Sequence, residues 1–240
     1  MAWFDFSRTN DPVNTQAFSM LPQMRTGDIL CFWTKAPSRL AEMYRKPIQD
    51  LQANGMCVLA QVTMNFYGMQ LEPGVTQQDI TPLAELIGAN HIRLRFDPII
   101  PGFTTLDHFQ QCLDVARQIQ TDRITVNFIA GQYPAALQRL SAAGQTGITT
   151  DAKKILFLRK MQQLAGDIRL AVCAESNALA ARLPGILPAR CADPDWAAQF
   201  GFSINGGHAS RKGCGCFYTQ NIRIPGRCVH GCIYCYANKQ

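Results

Sequence analysis

Three cysteines close the chain in the stretch Cys228-Val-His-Gly-Cys232-Ile-Tyr-Cys235-Tyr-Ala-Asn. Their C-x3-C-x2-C spacing, wrapped around the turn-forming pair His230-Gly231, can point three sulfurs at one small volume. Soft thiolates select an iron–sulfur cluster or a zinc ion. Three ligands leave one position open. Structural zinc usually closes its coordination with four protein donors, so a zinc reading needs His230 or a distant cysteine to complete it. A cluster held by three cysteines instead keeps one iron available to another ligand.

The chain carries ten cysteines among 240 residues. In a reducing compartment disulfides are rare, so metal binding is the better use for so many thiols. Cys173, Cys191, Cys214 and Cys216 form a second set of four, enough for a closed four-thiolate zinc site or an auxiliary [4Fe–4S] cluster, with unrelated thiols as the bland alternative. Cys31, Cys57 and Cys112 sit in apolar runs and read as small buried hydrophobes. His91, His108, His208 and His230 show no spacing that suits a nucleophile–base pair. Gly206-Gly207 follows no clear strand and opens no clear helix, so a phosphate loop is not indicated.

Positioning such residues takes a scaffold, and the chain is long enough for a single α/β domain with a sizeable core. Hydrophobic residues make up 47% and charged residues 17%, which is ordinary for a globular protein. The start, Met1-Ala-Trp-Phe-Asp5, lacks a basic region followed by an apolar run, and no segment approaches the ~20 apolar residues of a membrane span. A cytoplasmic protein without a membrane partner is expected. The net charge of +6 is spread over pairs such as Arg45-Lys46, Lys153-Lys154, Arg159-Lys160 and Arg211-Lys212, which read as solvated helix faces.

Residues 1–27 read as irregular, with a turn at Ser7-Arg-Thr-Asn-Asp11-Pro12. Strands are expected at 28–34, 57–63, 91–96, 123–128, 167–173 and 221–224. Helices are expected at about 38–53 with a kink at Pro47, from Thr81-Pro82 to Gly88, from Thr104 or Thr105 to 119, at 134–143 and 151–165, and briefly near Trp196. Six strands alternating with helices argue a parallel sheet or partial barrel.

The strand faces are split. Ile92, Leu94 and Phe96 oppose Arg93, Arg95 and Asp97; Ile124, Val126 and Phe128 oppose Thr125 and Asn127; Ile168, Leu170 and Val172 oppose Arg169 and Cys173. Parallel strands packed on both faces are near-continuously apolar, so one face is expected to line a polar cavity where buried arginines need anionic partners. Arg95, Asp97 and Glu175 are the candidate catalytic groups of that cavity. The alternative is a structural network in which the arginines pair with Asp97 and Glu175.

The terminal motif, with Tyr234 just before the third cysteine, resembles the signature of the radical S-adenosylmethionine superfamily. It is similar in particular to the spore-photoproduct-lyase-like branch. The resemblance extends through Thr34-Lys35, Leu71-Glu-Pro73, Arg95-Phe-Asp-Pro-Ile-Ile-Pro-Gly102, Cys173-Ala-Glu175 and Cys214-Gly-Cys216 to the uncharacterised family called domain of unknown function 1848 (DUF1848). It implies that Cys228, Cys232 and Cys235 hold a [4Fe–4S] cluster whose open iron takes S-adenosyl-L-methionine. The cofactor is then cleaved to a 5′-deoxyadenosyl radical with an electron from a flavodoxin- or ferredoxin-type donor. It also implies a (β/α)6 partial TIM-like barrel, here circularly permuted because the cysteine loop follows the last strand, within a single domain 1–240 whose segment 174–220 could hold the auxiliary metal.

On that reading strand 221–224 lies parallel to and directly beside strand 28–34. Thr34, Lys35, Gln61, Thr63, Asn127 and Tyr234 then line the cofactor cavity, with Lys35 in place of the usual Gly-Gly-Glu element. Thr34, Lys35, Thr63, Asn65, Arg95, Asp97, Asn127 and Cys173 should share the cluster's end of the sheet. The substrate is not legible: a small molecule or a nucleic acid. The rival function is a non-enzymatic zinc or iron–sulfur module that contacts nucleic acid through its basic residues.

Overall fold

A computed structural model describes residues 1–76, 78–173, 179, 181–203 and 214–237. In chain order its elements are β1 (Trp3–Phe6), β2 (Ile29–Thr34), α1 (Pro37–Ala53), β3 (Cys57–Thr63), α2 (Gly68–Leu71), α3 (Thr81–Ile87), β4 (Ile92–Ile99), α4 (Leu106–Gln118) and β5 (Arg123–Phe128). They continue with α5 (Pro134–Ala142), α6 (Asp151–Ala165), β6 (Arg169–Val172), β7 (Leu187–Pro188), α7 (Pro194–Ala198) and β8 (Gln220–Ile222). The fold is mixed α/β, and the strand pairs registered among the described residues are all parallel. No helix among the described residues is long and apolar enough to cross a membrane. The chain divides into two compact units. The first comprises Met1–Val62, Thr76–Arg93 and Arg190–Val229, and the second Thr63–Val75, Leu94–Ala189 and His230–Gln240.

In the first unit the strands run in the order β8-β1-β2-β3. Asp5 registers with Cys31 on one side and with Asn221 on the other, and Trp33 registers with Gln61. Helix α1 opens on Pro37, whose fixed φ suits the first turn. It buries Leu40, Ala41, Tyr44 and Ile48. Phe6, Phe32 and Tyr44 meet edge-on with centroids 5.2 to 6.0 Å apart, a geometry worth ~0.5–1.5 kcal/mol per pair beyond area burial. The Tyr44 hydroxyl donates to the Pro12 carbonyl at 2.8 Å, which fixes the segment after β1 against the helix.

Two sequence expectations are corrected here. Segment 1–27 is not wholly irregular: Trp3-Phe-Asp-Phe is a fully buried strand. This strand inserts between β8 and β2, so strand 220–222 is parallel as expected but its neighbour is β1 and not the 29–34 strand. At ~4.8 Å per strand, β2, which leads into Lys35, runs about two spacings, roughly 10 Å, from β8.

In the second unit the order is β4-β5-β6-β7, with Leu94 opposite Ile124 and Ile124 opposite Leu170. A register shift between Phe96 and Ile99 marks a bulge near the carboxyl end of β4. Thr105 caps α4 through a box in which its hydroxyl accepts from the His108 N–H and His108 Nδ1 accepts from the Thr105 N–H. Thr150 caps α6 by its hydroxyl alone, which accepts from the Lys153 N–H, and Gly166 ends it. The loop after β3 holds a short helix, α2, that its Gly68 and Pro73 do not announce.

The split strand faces are only partly realised. Arg93 and Arg95 are buried along with Leu94 and Phe96. Arg169, expected beside Cys173 on the cavity face, instead lies exposed at the amino end of β6 and pairs with Asp122. Arg95 takes Asp97 as its anionic partner, the pairing that the alternative, structural network called for. Arg93 pairs at 2.9 Å with Asp193, an acid not foreseen for it, and stacks over the Trp196 ring at 4.3 Å.

Candidate functional site

Cys232 and Cys235 lie in the second unit on a loop anchored through its backbone and through Tyr234. The Cys235 N–H donates to the Cys232 carbonyl at 3.1 Å, closing the turn between the two ligand candidates. Gly231 precedes it at φ +56, a left-handed conformation that L side chains rarely adopt, and a Cβ there would meet Pro73 at 3.9 Å. His230 and Gly74 clasp each other: the Gly74 N–H donates to the His230 carbonyl at 3.0 Å, and His230 Nδ1 lies 3.0 Å from the Gly74 carbonyl. The Ile233 N–H donates to the Leu71 carbonyl at 3.0 Å. Arg139 of α5 caps the other side, donating to the carbonyls of Ile233 at 2.9 Å and Cys235 at 2.6 Å.

Tyr234 is buried, and its hydroxyl donates to Glu72, itself only 2% exposed. Asn65, two residues past β3, donates through Nδ2 to the Tyr234 oxygen at 3.1 Å, to Glu72 at 3.2 Å and to the Asp97 carbonyl at 3.0 Å. Its Oδ1 accepts from the Asp97 N–H at 2.8 Å. Burial first, then the carboxylate of Glu72 and the nearby Cys232, push the Tyr234 hydroxyl well above its ordinary pKa. The tyrosine therefore stays protonated and remains a donor at physiological pH.

Tyr67 crosses edge-on to Tyr234 with centroids 6.1 Å apart, and its hydroxyl reaches the Pro98 carbonyl at 2.7 Å and Thr104 at 2.6 Å. Thr104 lines a cavity of about 180 Å³, bounded by Ile99 and Phe128 at the carboxyl ends of β4 and β5 and by Lys153 and Phe157 of α6. In the second unit, the anchored loop and this cavity thus share the strand ends where parallel α/β folds gather ligands.

The other expected site residues fall as follows. Arg95 and Asp97 form a largely buried ion pair in the second unit. Asn127 keeps a buried Oδ1 with no hydrogen-bond partner among the described residues. Thr63 is half-buried just past the unit boundary. Glu175 lies outside the described residues. Thr34 donates to the Asp11 carboxylate at 3.0 and 3.1 Å, and the Lys35 N–H donates to the same group at 2.6 Å, so this turn is organised around Asp11. Cys228 belongs to the first unit, Cys232 and Cys235 to the second.

Of the second cysteine set, Cys191, Cys214 and Cys216 belong to the first unit and Cys173 to the second, where its N–H donates to the Val126 carbonyl at 3.0 Å. Cys191 and Cys216 are buried, and the Cys191 N–H donates to the Cys216 sulfur at 3.0 Å. The Cys216 thiol contacts the side chains of both Cys191 and Cys214; contact with Cys191 first, and burial next, push it far above its ordinary pKa. Gln61 donates to the Cys191 carbonyl at 2.9 Å, while its own Oε1 is buried without a hydrogen-bond partner among the described residues. Among the described residues no three His, Cys, Asp or Glu side chains already stand arranged around one metal position.

Glu72 and Arg139 were not singled out as site residues. For Glu72 a weak signal existed, an acid between Leu71 and Pro73 in a loop with few charges. Arg139, on an amphipathic helix, gave none.

The chain belongs to the family Domain of unknown function (DUF1848), which it matches over residues 4–237. No curated protein and no solved structure matches it.

Proposed function

We propose that the protein is a radical S-adenosylmethionine enzyme, a circularly permuted (β/α)6 partial barrel in which Cys228, Cys232 and Cys235 hold a [4Fe–4S] cluster. The observation that carries this reading is the anchored Cys232-Ile-Tyr-Cys235 turn. Its thiol-bearing residues are fixed by Tyr234, Glu72, Asn65 and Arg139 beside the carboxyl end of β4. Three thiols without a fourth partner in the motif suit a cluster with one accessible iron better than a closed structural zinc. When bound, the cluster and S-adenosyl-L-methionine supply one-electron bond cleavage, and the chain's task is positioning and exclusion of water.

In this reading the Tyr234 hydroxyl, donating to Glu72, sets the path of the loop, and Arg139 neutralises the carbonyl dipoles that face it. Arg95, Asp97 and Glu175 are the polar groups on the substrate side, with Asn127 offering an unmatched buried acceptor. Thr34, Lys35, Gln61 and Thr63 serve the cofactor side, Lys35 from a backbone position fixed by Asp11. A flavodoxin- or ferredoxin-type protein supplies the electron, in the cytoplasm, and the substrate is a small molecule or a nucleic acid.

The test is direct. Anaerobically reconstituted protein, given a strong reductant, is expected to be brown and to convert S-adenosyl-L-methionine slowly to 5′-deoxyadenosine. The triple variant Cys228→Ala, Cys232→Ala, Cys235→Ala should lose that conversion. Equal turnover by the triple variant, or colourless protein carrying one zinc, overturns the proposal.

A further inference from the structure

We infer that the cavity of about 180 Å³ in the second unit is a binding site for a small apolar monocarboxylate, a single ring or a branched chain of similar size carrying one carboxylate. The apolar body fills the cavity, and the carboxylate meets Lys153 at its mouth. The inference stands on this cavity alone and not on the terminal cysteines.

The walls are built before any ligand arrives. Ile99 and Phe128 stand at the carboxyl ends of β4 and β5, and the Ile129 N–H donates to the Ile99 carbonyl at 3.0 Å, so the two strand ends are pinned together. The loop after β4 folds back on itself. The Phe103 and Thr104 N–H groups donate to the Ile100 carbonyl at 3.0 and 2.9 Å, and the Ile100 N–H donates to the Thr104 hydroxyl oxygen at 2.7 Å. That hydroxyl also meets the Tyr67 hydroxyl at 2.6 Å. Walls fixed by their own hydrogen bonds lose little further freedom on binding, the condition met by largely pre-formed ligand pockets.

The lining selects the ligand. Ile99, Ile100, Phe128 and Phe157 make it largely apolar, and a sealed apolar cavity of about 150 Å³ takes one benzene ring. This cavity therefore admits a six-membered ring with a small substituent, and it is too small for a nucleotide. Its charge has one sign. Lys153 is the only charged residue of the lining; it is exposed, and it has no ion-pair partner among the described residues. Lys154 adds a second cation, with Nζ 5.6 Å from the centre of the Phe128 ring, and Asp151 of the same turn is engaged by Lys154 at 3.8 Å. A lone ammonium is a point charge that matches one carboxylate, and no arginine, whose planar fork suits phosphate, lines the cavity.

The experiment uses the full-length chain labelled with ¹³C at its isoleucine δ1 methyls and followed by nuclear magnetic resonance. The Ile99 and Ile100 signals are identified by their loss in Ile99→Val and Ile100→Val. Benzoate is expected to shift both signals with a dissociation constant of about 1 mM or tighter, an affinity open to a ligand of about nine heavy atoms. Benzyl alcohol, which keeps the ring without the charge, should bind about fivefold more weakly, as losing one partly solvated ion pair predicts. Benzylamine, of opposite charge, and acetate, without the ring, should bind more weakly still. Lys153→Met, at an exposed position, should bring benzoate down to the affinity of benzyl alcohol and leave benzyl alcohol unchanged. Ile99 and Ile100 signals that stay fixed up to about 10 mM benzoate, tenfold beyond the expected limit, overturn the inference. An equal response to benzoate and benzylamine overturns it too, as does a benzoate affinity that Lys153→Met leaves unchanged.

Discussion

Replacing Tyr234 by phenylalanine deletes one oxygen from the centre of the second unit's polar network while leaving the ring that Tyr67 contacts. The hydroxyl donates to Glu72 and accepts from Asn65, and both partners are buried. A hydrogen bond to an ionised group contributes ~1.5–3 kcal/mol, and leaving a buried partner short of a donor costs about as much again. Asn65 still donates to Glu72, which softens the second part. A loss of about 3 kcal/mol follows, equivalent to a fall in Tm of roughly 6–12 °C for a chain of this size.

The pH dependence is more diagnostic than the magnitude. Burial, then Glu72 and Cys232, hold the Tyr234 proton beyond the pH at which an unfolded tyrosine releases it, ~10. Above that pH the native state binds more protons than the unfolded state, so this group's contribution, complete below ~10, declines as pH rises, by ~1.4 kcal/mol per unit. Urea unfolding of wild type and Tyr234→Phe at pH 7 to 11 should show a gap that is constant to about pH 10 and then narrows. A gap below about 0.5 kcal/mol at pH 7, or one that stays level through pH 11, would refute the argument that Tyr234 anchors the loop through a protonated hydroxyl.

Arg93 and Asp193 pair at 2.9 Å and both are buried. Either Arg93→Met or Asp193→Asn alone should destabilise by ~3–5 kcal/mol, since each strands a charge or its donor, while the apolar double variant Arg93→Met/Asp193→Leu recovers much of the loss. Additive singles and double in chemical denaturation would show that the pair is not a coupled unit. Burial pushes the Cys57 thiol up to about 12 and raises Cys31 and Cys112 as well. At pH 8 native protein should leave these three unlabelled by iodoacetamide, and denatured protein should label all of them. Native Cys57 reacting as fast as denatured Cys57 would contradict its placement in β3.

Where sequence signals are local and agree with packing, the chain could be read closely. Helix α6 runs from Asp151 to Ala165 between a Thr150 cap and Gly166, whose φ of +62 permits the chain to leave the helix. Strand β5 occupies Arg123–Phe128, the run whose alternation announces it. Strand β1 was not legible because Trp3-Phe-Asp-Phe has no alternation to read. Its polar residue, Asp5, is made acceptable in the interior by the indole N–H of Trp33 at 2.9 Å, the indole N–H of Trp3 at 3.2 Å and the Arg8 guanidinium. One of these donors lies 28 positions away. Missing that strand displaced the neighbour assigned to β8 and, with it, the reach expected of Lys35.

The cysteines announced the candidate site, because thiol spacing is chemistry written in a few adjacent residues. What holds them was not legible: Glu72 meets Tyr234 across 162 positions, Asn65 meets it across 169, and Arg139 meets Ile233 across 94. Stability alone is a poor reason to keep such a network. A buried carboxylate is costly even when paired, and well-packed apolar residues of similar volume often serve stability equally well or better. What apolar packing cannot do is fix direction. A tyrosine whose oxygen must meet both Glu72 and Asn65 has little rotational freedom. Because it sits between Cys232 and Cys235, next to Cys235 and two residues from Cys232, that restriction passes through a short length of backbone to each neighbouring thiol. The network is therefore best understood as the device that aims the loop, and the carboxylate is retained for the orientation it enforces.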